Sequence, residues 1–297
     1  MKSFFSIDRR KVVFARTRQA FSLIEVLVVT GLLSVIIIGL VLMFTQTQRA
    51  YRLGTTQVDT LEAGRMVTDL MTRDLSQLTP ANSLATNFFV ALPNFAPLVQ
   101  ALPGNNPNLQ RTNLMQDLFF LTRENRKWIA VGYFVRTNDR LNDLSFPAGT
   151  SGTLYRFETN YTDTFFRQNP YVFWRDFVIA QGNAARASRI VDGVVHFKVR
   201  GYNPDGHWIK TNAGPNIYTP TEAEYLYGEP PIISFTNTAV PASVEVELGI
   251  LESKEVEKAR AISDATARAN YLAQQAGKVH VFRWRVPVRN FDPAAYQ

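Results

Sequence analysis

One carboxylate stands apart because of its surroundings. Glu25 heads an apolar run, Val26 to Phe44, whose 19 residues carry no charge and only Thr30 and Ser34 as polar side chains. An ionisable group at the centre of a bilayer costs about 2.5–3.5 kcal/mol, and less toward its edge, so a chain that keeps one there requires a partner for it. Other groups able to do chemistry are few and scattered. Three histidines, His196, His207 and His280, lack metal-type spacing, and the chain has no cysteine, which excludes thiol nucleophiles and Cys-ligated metals. Asn203 with Asp205, and Asn138-Asp139 with Asn142-Asp143, offer oxygen atoms suited to Ca²⁺, but turn formation accounts for both. There is no phosphate loop, nucleophile elbow or kinase signature. The reading is no catalytic residue, no metal site, no cofactor and no enzyme activity.

The element that carries Glu25 is long enough to cross a membrane. At about 1.5 Å per residue the run from Val26 to Phe44 makes roughly 28 Å of helix, one bilayer core. A cleavable secretory signal has a shorter apolar region and a small-x-small site; here Thr45-Gln46-Thr47-Gln48-Arg49 follows and offers none. Six basic residues and one acid precede Phe21, so most of the formal charge of +7 sits in a basic leader, residues 1–20, and the remainder is nearly balanced. That balance argues against nucleic acid as a partner, although Arg167 and Arg175 lie among aromatics. Cations ahead of the span hold that end in the cytoplasm and send the bulk of the chain outward.

Ala20-Phe21-Ser22-Leu23-Ile24-Glu25 resembles the prepilin peptidase site of type IV pilins and type II secretion pseudopilins. The resemblance implies cleavage between Ala20 and Phe21, N-methylation of Phe21, and an assembly role for Glu25. Ala20 stands where the family usually has Gly. Such a cut would leave an α-amino cation at the membrane end of the helix, with a carboxylate one turn away to neutralise it on the same or a neighbouring subunit. A buried pair of this kind acts more as a register gauge than as a source of stability.

Beyond the span the helical pattern runs on without proline to Leu78, and Pro80 ends it. Val58, Leu61, Val67, Leu70, Met71, Leu75 and Leu78 form the expected buried stripe. Glu62 with Arg65, Arg65 with Asp69, and Asp69 with Arg73 stand at helix-neighbour spacing. Phe21 to Leu78 would be one helix of 58 residues, roughly 85 Å long. Gly31, Gly39 and Gly54 are gaps where neighbouring helices approach, points of flexure, or residues merely tolerated in lipid.

Residues 80–113, rich in Pro and Asn, read as a long surface excursion, an insertion or a partner-binding loop. A hairpin follows, Leu118–Leu121 and Trp128–Val135 around the polar residues 123–127, then a short strand at Leu154–Phe157. Phe165, Phe166, Tyr171, Phe173, Trp174 and Phe177 are expected in the core, with an exposed docking patch as the alternative. Strict alternation marks Val195–Arg200, and the turn residues 203–206 precede Trp208. In a later strand Val244, Val246, Leu248 and Ile250 alternate with Glu245 and Glu247. In the last, Phe282, Trp284, Val286 and Val288 alternate with Arg283, Arg285 and Arg289, so the glutamates and arginines can pair if these strands are neighbours. Ser253 would cap a second insertion, a helix over 254–276 ended by Gly277, whose charged face is solvated or touches another subunit.

The segments at 63–74, 190–208 and 241–250 resemble the J-type minor pseudopilin of type II secretion, over about half of the chain. The implied fold is α+β and pilin-like: leader 1–20, long helix 21–79 with 21–44 transmembrane, and a periplasmic antiparallel β domain 80–297 with insertions at 80–113 and 254–276. The implied function is a structural assembly subunit of the tip or priming complex of a pseudopilus. Its partners would be other minor and major pseudopilins, prepilin peptidase, the inner-membrane assembly platform and membrane lipid. The span lacks the proline many major pilins carry, which favours a minor subunit. Alternatives are a minor pilin of a type IV pilus for adhesion, motility or DNA uptake, and an enzyme or receptor domain on a plain anchor.

Overall fold

The computed structural model describes residues 22–81, 83–93, 97–102, 104, 109–136, 150–211 and 214–296. The chain divides into two compact units, Met1–Leu53 and Gly54–Gln297, with the boundary inside the first helix, α1 (Leu23–Ser76).

Within the first unit, every described residue from Ser22 to Arg52 is exposed. The few hydroxyls bond inside the helix. Thr30 Oγ1 donates to the Leu27 carbonyl (3.0 Å), Ser34 Oγ to that of Thr30 (2.8 Å) and Thr45 Oγ1 to that of Leu42 (2.8 Å). Such back-bonding hides a polar group in surroundings that offer no other partner.

In the second unit the remainder of α1 buries Thr60, Gly64, Val67, Met71 and Asp74, with Leu75 beside them and Leu78 continuing the row just past the helix end. The spacing alternates four and three, the seam of a helix laid on a flat partner. This corrects the expected stripe: Val58 and Leu61 are 59% and 49% exposed, and Leu70 is half-buried. Gly64 takes a place on the seam because the Phe282 ring fills it; a Cβ there would stand 2.0 Å from the ring. The expected ion pairs along α1 do not close among the described residues; Arg73 reaches Asp74 instead (3.7 Å).

The partner of that seam is an antiparallel sheet. In chain order its strands are β1 (Thr86–Ala91), β4 (Asp117–Glu124), β5 (Lys127–Arg136), β6 (Gly152–Thr162), β7 (Ala187–Tyr202), β8 (Ile217–Tyr218), β9 (Ile232–Thr236), β10 (Ser243–Leu251) and β11 (Val279–Pro287). They lie in the order β11-β10-β7-β6-β5-β4-β1-β9-β8, and β2 (Leu98–Ala101) pairs separately with β3 (Gln110–Asn113). The sheet curls: a Cβ on Gly201 of β7 would stand 3.8 Å from the Phe235 ring of β9, although four strands separate them in the sheet order. Met71, Leu75 and Leu78 join Phe88, Phe120, Val199, Val246 and Phe235 in the main core.

The other face of β4–β6 carries α2 (Asp163–Gln168) and α3 (Val172–Gln181). Phe166, Phe173 and Phe177 are buried there as expected of core residues, and Gly132 lets the Phe177 ring approach; Phe165 and Tyr171 remain exposed. The β4–β5 hairpin is tight, with Asn125 at φ 54° in its turn and Glu124 opposite Lys127. The expected strand at 154–157 is the middle of a longer one.

Two segments differ from expectation. Residues 80–113 are no mere surface loop: β1 within them is paired on both sides, with β4 and β9, and Phe88 is fully buried. Residues 254–276 form two helices, α4 (Ser253–Ala261) and α5 (Ala265–Ala273). The break falls where Asp264 caps α5, its Oδ1 accepting the Ala267 N–H at 2.7 Å. Glu252 occupies the cap position of α4, and α5 ends before Gly277. The two segments meet: Gln100 Nε2 donates to the Leu272 carbonyl (2.9 Å), and Leu98, Val256 and Leu272 share a small core.

Candidate functional site

The residues that drew attention to the start of the chain divide here. Ala20 and Phe21 lie outside the described residues, while Glu25 sits exposed in the first turn of α1. A carboxylate there faces the unpaired N–H groups of a helix start, a favourable place for negative charge. Ser22 accepts backbone bonds from Glu25 (3.0 Å) and Val26 (3.2 Å), so the helix is closed from its first turn. From Val26 to Phe44 the side chains are exposed around the whole circumference. A helix apolar on all sides is a helix for lipid or for a bundle of other helices. It is the one helix among the described residues long and apolar enough to cross a membrane. Gly31, Gly39 and Gly54 have nothing within 4 Å of where a Cβ would sit, so these gaps, unlike the one at Gly64, are unfilled by the described residues.

Three polar clusters in the second unit were not singled out by spacing. Asp74, on the buried seam of α1, accepts the Tyr133 hydroxyl and Arg156 Nε, both at 2.7 Å on Oδ2, and Arg156 continues to Glu158. Burial, then the charge of Asp74, pushes the Tyr133 hydroxyl up. Asp74, Arg156 and Glu158 border an open cleft of about 440 Å³ with Arg73, Arg123 and Glu124, so its acidic and basic side chains are already matched. Arg136 and Asp117 form a buried bidentate pair (3.0 and 3.1 Å) braced by Gln181 Nε2 (2.9 Å). Burial nonetheless raises Asp117 above the usual carboxylate range.

The third cluster covers the face of β7 and β10 turned away from the main core. Glu229, held by a hairpin turn with Tyr227 at φ 57° and Gly228 at 79°, inserts beside Lys198 (3.4 Å) and Arg200. Lys198 also reaches Glu247 (3.6 Å), and Glu247 meets His196 Nε2 at 3.5 Å. His196 Nδ1 accepts the Leu114 N–H (3.1 Å), so the neutral ring carries its proton toward Glu247. Burial pushes His196 down, and the hydrogen bond offered by His196 holds Glu247 at about 2. The signal for this cluster was present in the alternation of His196, Lys198 and Arg200; Glu229 arrives from a loop no periodicity marks.

The expected glutamate–arginine pairing is formed. β10 and β11 are neighbours, with Glu245 opposite Arg285 and Glu247 opposite Arg283; Arg283 takes the diagonal partner Glu245 (2.8 Å) as well as Glu247 (3.5 Å). The histidines lie apart on β7, a turn and β11. Asn203 Oδ1 accepts the His207 N–H (2.8 Å), so that oxygen is committed to its turn; residues 138–143 lie outside the described ones. Comparison with known protein families, with curated proteins and with solved structures finds no match.

Proposed function

We propose that the chain is a structural assembly subunit, a minor pseudopilin that joins the tip or priming complex of a type II secretion pseudopilus. The observation that carries this reading is the helix start: one carboxylate, Glu25, ahead of an apolar run exposed on every face from Val26 to Phe44. Its physical logic is pairing. Removal of residues 1–20 by prepilin peptidase leaves the amine of Phe21, then methylated, as a cation at the apolar end of α1. In a medium of low dielectric that cation and a carboxylate attract strongly, and a misplaced subunit leaves both unpaired. Glu25 of an arriving subunit meeting the terminal amine of its neighbour therefore fixes an axial offset, while the gaps at Gly31 and Gly39 admit neighbouring helices.

The basic leader faces the cytoplasm and the second unit the periplasm, with the inner membrane between. The partners are other minor and major pseudopilins, the peptidase and the assembly platform; the chain itself performs no reaction.

Glu25→Ala is the test. Normal membrane insertion with loss of co-isolated relatives is the expected result, and retained assembly overturns the reading. The identity of the co-isolated chains separates a secretion pseudopilus from a type IV pilus.

A further inference from the structure

The two ends of the main sheet are unlike. β8 is two residues long and presents little backbone, whereas β11 is nine residues long and, among the described residues, pairs on one side only. Its hydrogen-bond phase is fixed at both ends: Val288 N–H donates to the Ala242 carbonyl (2.9 Å), and Glu252 N–H to that of Lys278 (3.1 Å). By the alternation of an antiparallel ladder, the even-numbered residues from 278 to 288 turn their backbone groups toward β10. Val281, Arg283 and Arg285 turn theirs outward, and among the described residues those N–H groups have no partner, whereas the Val279 N–H closes the preceding turn on the Ala276 carbonyl. Pro287, with no N–H, ends the row.

The side chains of this edge say what would fit. On the core face Phe282, seated against Gly64, and Trp284 are only half-buried, and no strand lies beyond them among the described residues. On the other face Arg283 is shared between Glu245 and Glu247. Arg285 stacks on Tyr202 (3.7 Å to the ring centre) and donates to Ser243 Oγ (2.8 Å), with no carboxylate partner among the described residues. β11 has two arginines and no acid. A second copy of β11 laid against the first would set arginine against arginine, which disfavours self-pairing.

We propose that this edge docks an extended segment of a different polypeptide, about seven residues long, which adds to the sheet as a further antiparallel strand. The segment carries carboxylates at alternate positions, facing Arg283 and Arg285, and apolar residues between them, covering Phe282 and Trp284. β10 already shows this match from the inner side, through Glu245 and Glu247. The inference does not depend on processing at Phe21 or on a membrane, so either can fail alone. Cationic edges also deter unwanted pairing, and the experiment separates that role from docking.

The probe is a blocked synthetic peptide with the sequence of Ser243–Leu251, compared with one carrying Lys in place of both Glu, added to the full chain in detergent. The expected result is saturable binding of the acidic peptide alone, with amide exchange at Val281, Arg283 and Arg285 slowed about tenfold or more. Arg285→Glu weakens binding by about fivefold, and Val281→Pro abolishes it. Equal binding of both peptides overturns the proposal. So does absence of binding, or an Arg285→Ala variant that merely self-associates while the intact chain ignores the acidic peptide.

Discussion

The two halves of α1 solve different problems with one backbone conformation. From Val26 to Phe44 nearly every side chain is apolar and all are exposed. From Thr60 to Leu78 the composition is mixed, yet one seam is buried, and it includes a threonine, a glycine and an aspartate while Val58 and Leu61 stay exposed. Apolarity therefore does not decide burial in the second half. Spacing, size and a matched partner do: Gly64 is buried because Phe282 fills its place, and Asp74 because Tyr133 and Arg156 satisfy it. In the first half apolarity is general and position hardly matters, which is what a surrounding of lipid or like helices requires.

Substitutions on the two halves break or sharpen that contrast. The largest effect is expected at Asp74→Ala, which strands the buried Tyr133 hydroxyl, leaves the half-buried Arg156 with Glu158 alone, and costs the second unit about 3–5 kcal/mol; Met71→Ala costs about 2–5 kcal/mol. Leu33→Ala leaves the same unfolding transition unmoved. Thermal unfolding in detergent, followed through tryptophan, reads all three. Equal effects at Leu33 and Met71 would erase the distinction.

Glycines give a second, smaller contrast. Gly64→Val forces the Phe282 ring aside and is expected to cost about 1–3 kcal/mol, whereas Gly31→Val and Gly39→Val leave unfolding unchanged and reduce co-isolation of neighbouring subunits.

Acid should act on the sheet that holds the seam. Glu247 has a carboxyl group lowered from its ordinary 4.5 to about 2, so its stabilisation is present above the ordinary value and is lost as pH falls toward about 2. His196, depressed below 6.5 by burial and faced by Glu247, Lys198 and Arg111, must stay neutral to accept the Leu114 N–H. Its cost of charging therefore begins below that pH and acts in the same direction. The unfolding midpoint of the second unit is expected to fall steadily below pH 6.5, and less so in Glu247→Gln. The smallest effect belongs to Leu61→Gln, within about 0.5 kcal/mol, because that side chain leaves the seam.

Much of this was legible in residue order. Pro80 limited α1 to within a few residues, the alternation in β10 and β11 gave their faces and the charges they would match as neighbours, and the polar residues 123–127 gave a hairpin; that the two strands are neighbours came from the sheet. β1 was not legible, because Phe88 and Val90 lie among prolines and asparagines and β1 also pairs with β9, far along the chain, a non-local contact no local pattern records. The break between α4 and α5 was signalled by Asp264, a cap residue masked by the apolar stripe on either side of it. Of the candidate site, the isolation of Glu25 was plain from charge alone; that nothing described in the chain covers the helix behind it required the structure.

The most direct measurement is the mass of the N-terminal peptide of the native protein taken from its membrane. A peptide beginning at a methylated Phe21 is the predicted result. A chain that still carries residues 1–20, or one cut at any other bond, contradicts the account.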